Sequence, residues 1–349
     1  MRDRRRVTLI ALFVILVLVV LLSADKGAVE IGQRQILAIV AKVFGFHLPY
    51  DFTIQQESTL LDIRLPRIAL GVLVGSALGI SGAVMQGLFR NPLADPSLIG
   101  ISSGAALAAT AAVVLGDIAP FAIPGMFQLL VFPLAAFGGA VAITLVIYRL
   151  STVAGRTIVA TMLLAGIAIN ALAQAFSGGM TFFATDTQIR SLTFWKLGSL
   201  GGGNWTNVLA IAPFILIPMV VFPRLARPLN GLLLGEAEAG HIGFNVSRTK
   251  KLIVVLVASS VGASVAFTGL ISFVGLIVPH TLRFIIGADH RCLLPSSALL
   301  GAILLVSADL AARTMVAPAE MPIGILTAIA GAPFFLWLLL RDRKWRMVG

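Results

Sequence analysis

Cysteine is almost absent: Cys292 stands alone among 349 residues, which excludes an internal disulfide framework, a thiolate-held iron–sulfur cluster and a multi-thiolate zinc site. Charge is scarce as well. Asp, Glu, Lys and Arg together make up 12% of the chain, where a soluble domain carries about a quarter, so a globular surface could not be covered. Aromatic content of 8% beside 34 glycines suits closely packed helices better than a β-barrel, whose signal would be alternating strands of about ten residues. The Gly-Lys-Ser/Thr ending of a phosphate-binding P-loop is missing too. Any ATP hydrolysis therefore belongs to another chain.

What is present is apolar length. The chain is 58% hydrophobic, its mean hydropathy is +1.00, and its clustered charges leave uncharged stretches of about 16 to 31 residues. A hydrocarbon core of ~30 Å takes about 20 residues of helix. The fold class is all-α and polytopic. The first apolar run, Val7 to Leu22, follows Arg2, Arg4, Arg5 and Arg6; it exceeds the 7–15 residues usual for a secretory signal and reads as an uncleaved first helix. Further spans are expected at about 68–89, 96–115, 121–148, 157–178, 207–222, 293–312 and 322–340. The uncharged run Leu252–Leu282 is long for one helix and short for two.

Charge parity chooses between them. With two shortened spans in that run there are ten in all, both termini are cytoplasmic, and 18 of the 26 basic residues lie inside with 6 of the 15 acids. A single span would put Arg283, Arg291 and the basic tail outside, against the positive-inside tendency. The net charge of +11 is thus mostly topology, and nucleic-acid binding is not needed to explain it. One domain, residues 1–349, is expected, with its longest inner connection at about 223–251.

Enzyme patterns fail on context. Gly100, Ser102 and Gly104 spell a nucleophile elbow, but they open an apolar helix rather than follow a strand. Ser247 and Lys250 spell a Ser-x-x-Lys pair without its companion motifs. His47, His241, His280 and His290 form no metal-ligand arrangement, and no metal or cofactor is expected. An ion-coupled transporter, the alternative from a different class, needs ionisable groups at membrane depth. The clear candidate is Asp309, and Arg313 four residues later offers it a local ion pair.

Four features remain. Gly71, Gly75 and Gly79 recur every four residues, a spacing that lets helices approach closely. The inner segment GEAEAGHIGFNV, residues 235–246, suits either a short helix seated in a partner's groove or a plain connection. The motif RLPR at 64–67 puts Arg64 and Arg67 on the outer side with Arg313, to meet either an acidic partner or lipid and intrachain acids such as Asp62 and Glu320. Asn170, Gln174 and Ser177 share one helix face, which should meet other helices or a water-filled path.

RLPR at 64–67, SGAVMQGLFRNPLADPSLIGISSGA at 81–105, LGEAEAGHIGFNV at 234–246, FVGLIVPHTLRFIIGADHRCLLP at 273–295 and AEMPIGILTAIAGAPFF at 319–335 together resemble the iron-complex and cobalamin permeases of bacterial ABC importers. The resemblance covers nearly all of the chain after the first span. It implies the type II importer fold in the bacterial inner membrane: ten helices per subunit, a homodimer, two separate ATPase subunits and a periplasmic binding protein. It implies that Gly235, Glu236, Ala239, Gly240 and Gly243 belong to the coupling helix on the ATPase. Arg64, Arg67 and Arg313 would grip glutamates of the binding protein, and the helix of Asn170, Gln174 and Ser177 would line the path. The family often opens that helix with a Ser/Thr-containing turn; here it reads Val159, Ala160, Thr161, so no gate residue carries over. TDTQIRSLTFWKLGSLGGGNW at 185–205 looks most like haem permeases, which favours haem over cobalamin or a ferric siderophore as cargo. Haem predicts a mostly apolar path with sparse polar groups.

Overall fold

The computed structural model describes residues 2–27, 29–116, 125–153, 156–316 and 319–348. Residues 121–124 of the fourth expected span and 317–318 of the outer segment before the last span lie outside the described residues. The chain opens with α1 (Arg2–Asp25), two short helices, α2 (Gln33–Val43) and α3 (Ile54–Ser58), and a π-helical turn at Thr59–Arg64 that runs into α4 (Leu65–Phe89). A 3-10 turn at Pro96–Ile99 leads to α5 (Ile101–Gly116) and α6 (Gly125–Leu150). A two-stranded hairpin of β1 (Thr152–Val153) and β2 (Arg156–Thr157) then turns the chain into α7 (Val159–Phe182) and the short α8 (Asp186–Lys196). Next come α9 (Trp205–Val221), α10 (Ala226–Leu234) and α11 (Glu236–His241). The chain closes with α12 (Val246–Thr268), α13 (Val274–Ile286), α14 (His290–Thr314) and α15 (Ile323–Val348).

Among the described residues, seven helical stretches are long and apolar enough to cross a bilayer: Arg4–Asp25, Ile54–Phe89, Val131–Leu150, Val159–Phe182, Trp205–Leu234, Val246–Thr268 and His290–Thr314. Three shorter apolar helices, Ile101–Gly116, Val274–Ile286 and Ile323–Trp337, stand where the other spans were expected. The uncharged run does break in two, at Gly269–Phe273. With 13 residues, α13 reaches only about 20 Å at 1.5 Å per residue. The non-helical backbone beside it is packed against protein: Ser199 N–H donates to the Thr268 carbonyl at 2.8 Å, a Cβ at Gly269 would overlap the Trp195 carbonyl oxygen, and one at Gly198 the Leu270 carbonyl oxygen. Irregular backbone survives at membrane depth only when satisfied in this way.

The centre of the molecule is α4, almost every residue of which from Pro66 to Phe89 is buried. Its glycine ladder packs on α14: a Cβ at Gly75 would overlap the Gly301 carbonyl oxygen, one at Gly79 the Ser297 carbonyl oxygen, and one at Gly301 the Gly75 carbonyl oxygen. Gly82 meets Gly275 of α13 in the same manner, and Gly104 of α5 meets Gly139 of α6. Without a hydrophobic drive between helices in lipid, this close contact is the source of dispersion energy. By contrast, α1 and α7 leave most of their apolar surface uncovered, including Leu164, Ile167, Leu172 and Phe176. A smaller cluster of Ala24, Ile31, Ile36, Ile39, Leu60 and Ile68 ties α2 to the ends of α1 and α4.

Candidate functional site

A cavity of about 820 Å³ lies along α7. Asn170, Gln174 and Ser177 line it together, as one face of a helix must. Ser97, Ser102 and Ser103 join them from the turn before α5 and its first turn, Thr181 from the end of α7, and Lys196 from α8. The sequence reading missed these five. The signal was present in Gly100-x-Ser102-x-Gly104, set aside as a failed elbow although small residues opening an apolar helix leave room beside it. The lining is therefore richer in polar side chains than the sparse set expected for haem, because one helix face was counted and the facing elements were not. Part of that polarity is already engaged within the chain. Ser177 Oγ donates to the Ala173 carbonyl at 2.8 Å, Thr181 Oγ1 to the Ser177 carbonyl at 2.7 Å, and Ser103 Oγ to the Gly100 carbonyl at 3.2 Å and to Asn170 Oδ1 at 2.5 Å. Gln174 and Lys196 are exposed and keep their donors available.

Arg64, Arg67 and Arg313 come together at one end of α1, α4 and α14, but they are not outward cations. Arg64 is buried and donates to the carbonyls of Ala24 at 2.6 Å, Asp25 at 2.9 Å and Val29. Arg313 donates to the Lys26 carbonyl at 3.0 Å and to Ser23 Oγ at 2.6 Å. Both thereby satisfy carbonyls that α1 leaves orphaned at its C-terminus. Arg67, also buried, grips Asp309 through Nε at 2.9 and 3.1 Å and Glu320 through Nη1 at 2.9 Å. Asp309 meets Arg313 only at 3.7 Å. Its main partner is thus Arg67, 242 residues away, and the local pair is secondary. Glu320, half exposed, has its carboxyl held below the usual range by the hydrogen bond from Arg67, against a smaller opposing effect of burial.

The segment between α9 and α12 folds as α10, a sharp turn at Gly235 (φ +137°), α11, and a second turn at Gly243 (φ +96°). Ala239 is fully buried and anchors α11, whereas Gly240 is exposed and a Cβ there would meet nothing within 4 Å. Leu234 and Ile242 stand exposed on either side of α11. Small residues and exposed aliphatics on a short helix between fixed turns make a knob suited to a groove.

Known proteins resemble this chain along its length. The FecCD transport family matches residues 14–341. The chain belongs to that family. It is 45% identical to the hemin transport system permease protein HmuU of Yersinia pestis over 345 residues, covering 99% of this chain and 98% of that one. It is 43% identical to the cobalamin import system permease protein BtuC of Halobacterium salinarum, covering 88% and 80%, and 40% identical to the vitamin B12 import system permease protein BtuC of Vibrio vulnificus, covering 82% and 84%. A solved structure described as an inward-facing conformation of a metal-chelate type ABC transporter superposes with a TM-score of 0.79 at 31% identity, covering 95% of this chain and 98% of that one. The chain is accordingly a membrane-embedded ABC importer permease of the FecCD family. It carries the type II importer fold and leaves ATP hydrolysis to a separate subunit.

Proposed function

We propose that this permease spans the inner membrane ten times with both termini cytoplasmic, works as a homodimer on two ATPase subunits, and passes haem inward from a periplasmic binding protein. The cavity along α7 carries the reading. Three of its five hydroxyls, on Ser103, Ser177 and Thr181, are already engaged within the chain, which leaves a flat apolar ring fewer polar groups to satisfy. Lys196 at its edge offers a cation to a propionate, and the 45% identity to a hemin permease over nearly the whole chain points the same way. Two α7 helices facing across a dimer axis would cover the apolar side chains that one protomer leaves open. The α11 knob, with Gly235, Glu236, Ala239, Gly240 and Gly243, would seat on the ATPase. Arg64, Arg67 and Arg313 would serve docking through exchange: an acid of the binding protein takes the place of half-exposed Glu320 on Arg67.

Uptake into proteoliposomes holding this chain with its cognate ATPase and binding protein tests the cargo, with haem, cobalamin and a ferric hydroxamate offered in parallel. ATP-dependent accumulation of haem is expected. Accumulation of cobalamin or the hydroxamate with none of haem would overturn the cargo and leave the importer standing.

A further inference from the structure

The Ser-x-x-Lys pair has no role in the reading above, yet its lysine occupies an unusual place. Lys250 lies near the start of α12 and is only 2% exposed, a depth at which an ammonium must be paired. Its Nζ donates to Glu236 Oε1 at 2.6 Å and to the Thr157 backbone carbonyl at 2.7 Å. These acceptors belong to different parts of the molecule. Glu236 is the first residue of α11, and its side chain is 43% exposed. Thr157 ends β2, one residue before Ile158, the N-cap of α7. The hairpin holding Thr157 is itself closed by the Thr152 and Thr157 hydroxyls at 3.0 Å and by Ile158 N–H on the Ser151 carbonyl at 2.9 Å. A cavity of about 490 Å³, lined in part by Arg156, Glu236, Gly240 and Lys250, leaves space beside the joint. The other cations of this turn, Arg248 and Lys251, are exposed.

We propose that Lys250 is a strut between α11 and the inner end of α7, a positioning residue through which displacement of the coupling loop reaches the helix that bears Asn170, Gln174 and Ser177. Charge-assisted bonds to a buried ammonium are short and strong, and close-packed interiors shift between arrangements instead of deforming gradually. A motion of Glu236 is therefore passed to Thr157. This proposal rests on the importer reading.

The test compares wild type, Lys250→Met and Lys250→Arg in the complex with ATPase and binding protein, reading cargo taken up per ATP hydrolysed. A second readout is amide hydrogen exchange of residues 156–162 with and without nucleotide. Lys250→Met is expected to hydrolyse ATP within about twofold of wild type while uptake per ATP falls about tenfold or more, the scale of an ordinary coupling free energy. Nucleotide-dependent exchange at 156–162 should vanish, and Lys250→Arg should restore both. Unchanged uptake per ATP and unchanged exchange in Lys250→Met would overturn the strut. If that variant does not assemble, Lys250→Gln, which keeps a polar head without the charge, decides: the same losses support the strut, and wild-type coupling and exchange overturn it. Should wild type take up none of the offered cargoes, the importer reading fails. The exchange response of 156–162 to nucleotide still rules on the strut.

Discussion

Arg67 shows how a residue's surroundings change its meaning. Two arginines in an outer RLPR motif suggest solvent-facing cations, but Arg67 is buried between Asp309 and Glu320 and Arg64 among the carbonyls that end α1. Breaking a buried pair strands one charge, at a cost of about 3–5 kcal/mol. Asp309→Ala is therefore expected to lower the melting temperature in detergent far more than Glu320→Gln, whose partner keeps Asp309; equal effects would contradict the geometry. The exposed member adds a pH dependence. Arg67 holds Glu320 below its ordinary value of 4.5, so the pair stabilises the fold above that value and is lost as pH falls through the depressed value of the folded state. The stability gap between wild type and Glu320→Gln should be full at pH 7 and close on acidification below about 4.5. A gap that widened in acid would reverse the assigned sign.

At the scale of elements, two glycine patterns of similar appearance do different work. The α4 ladder is a contact surface, and Gly75→Leu would force α14 away from α4, costing at least about 1–3 kcal/mol and lowering the yield of folded protein. Around α11, Gly243 supplies a left-handed turn, whereas a Cβ on Gly240 would meet nothing within 4 Å. Gly240→Trp should therefore leave the melting temperature of the isolated permease unchanged and weaken its retention of the ATPase in pull-down. Normal retention with normal stimulated hydrolysis would remove this face from the interface. The apolar ladder spacing was legible because contact between helices acts on every fourth residue of one segment. The separate role of Gly240 was not, since openness around a backbone atom depends on what other segments leave empty.

At the scale of the molecule, the ten-span topology predicts that reporters fused after residue 349 and within 223–251 both read cytoplasmic; a periplasmic signal from either would break the charge argument. Membrane residence and the places of the apolar helices were decided by the amino-acid order alone. The bilayer selects on the composition of contiguous segments, a property of the chain in one dimension. Tertiary structure alone decided where side chains end. It turned Arg64 and Arg67 inward, brought Ser102, Ser103 and Lys196 to the cavity of Asn170, and placed Lys250 between Glu236 and Thr157. These partners stand 14 to 253 residues apart in the chain, and only helix packing sets such distances.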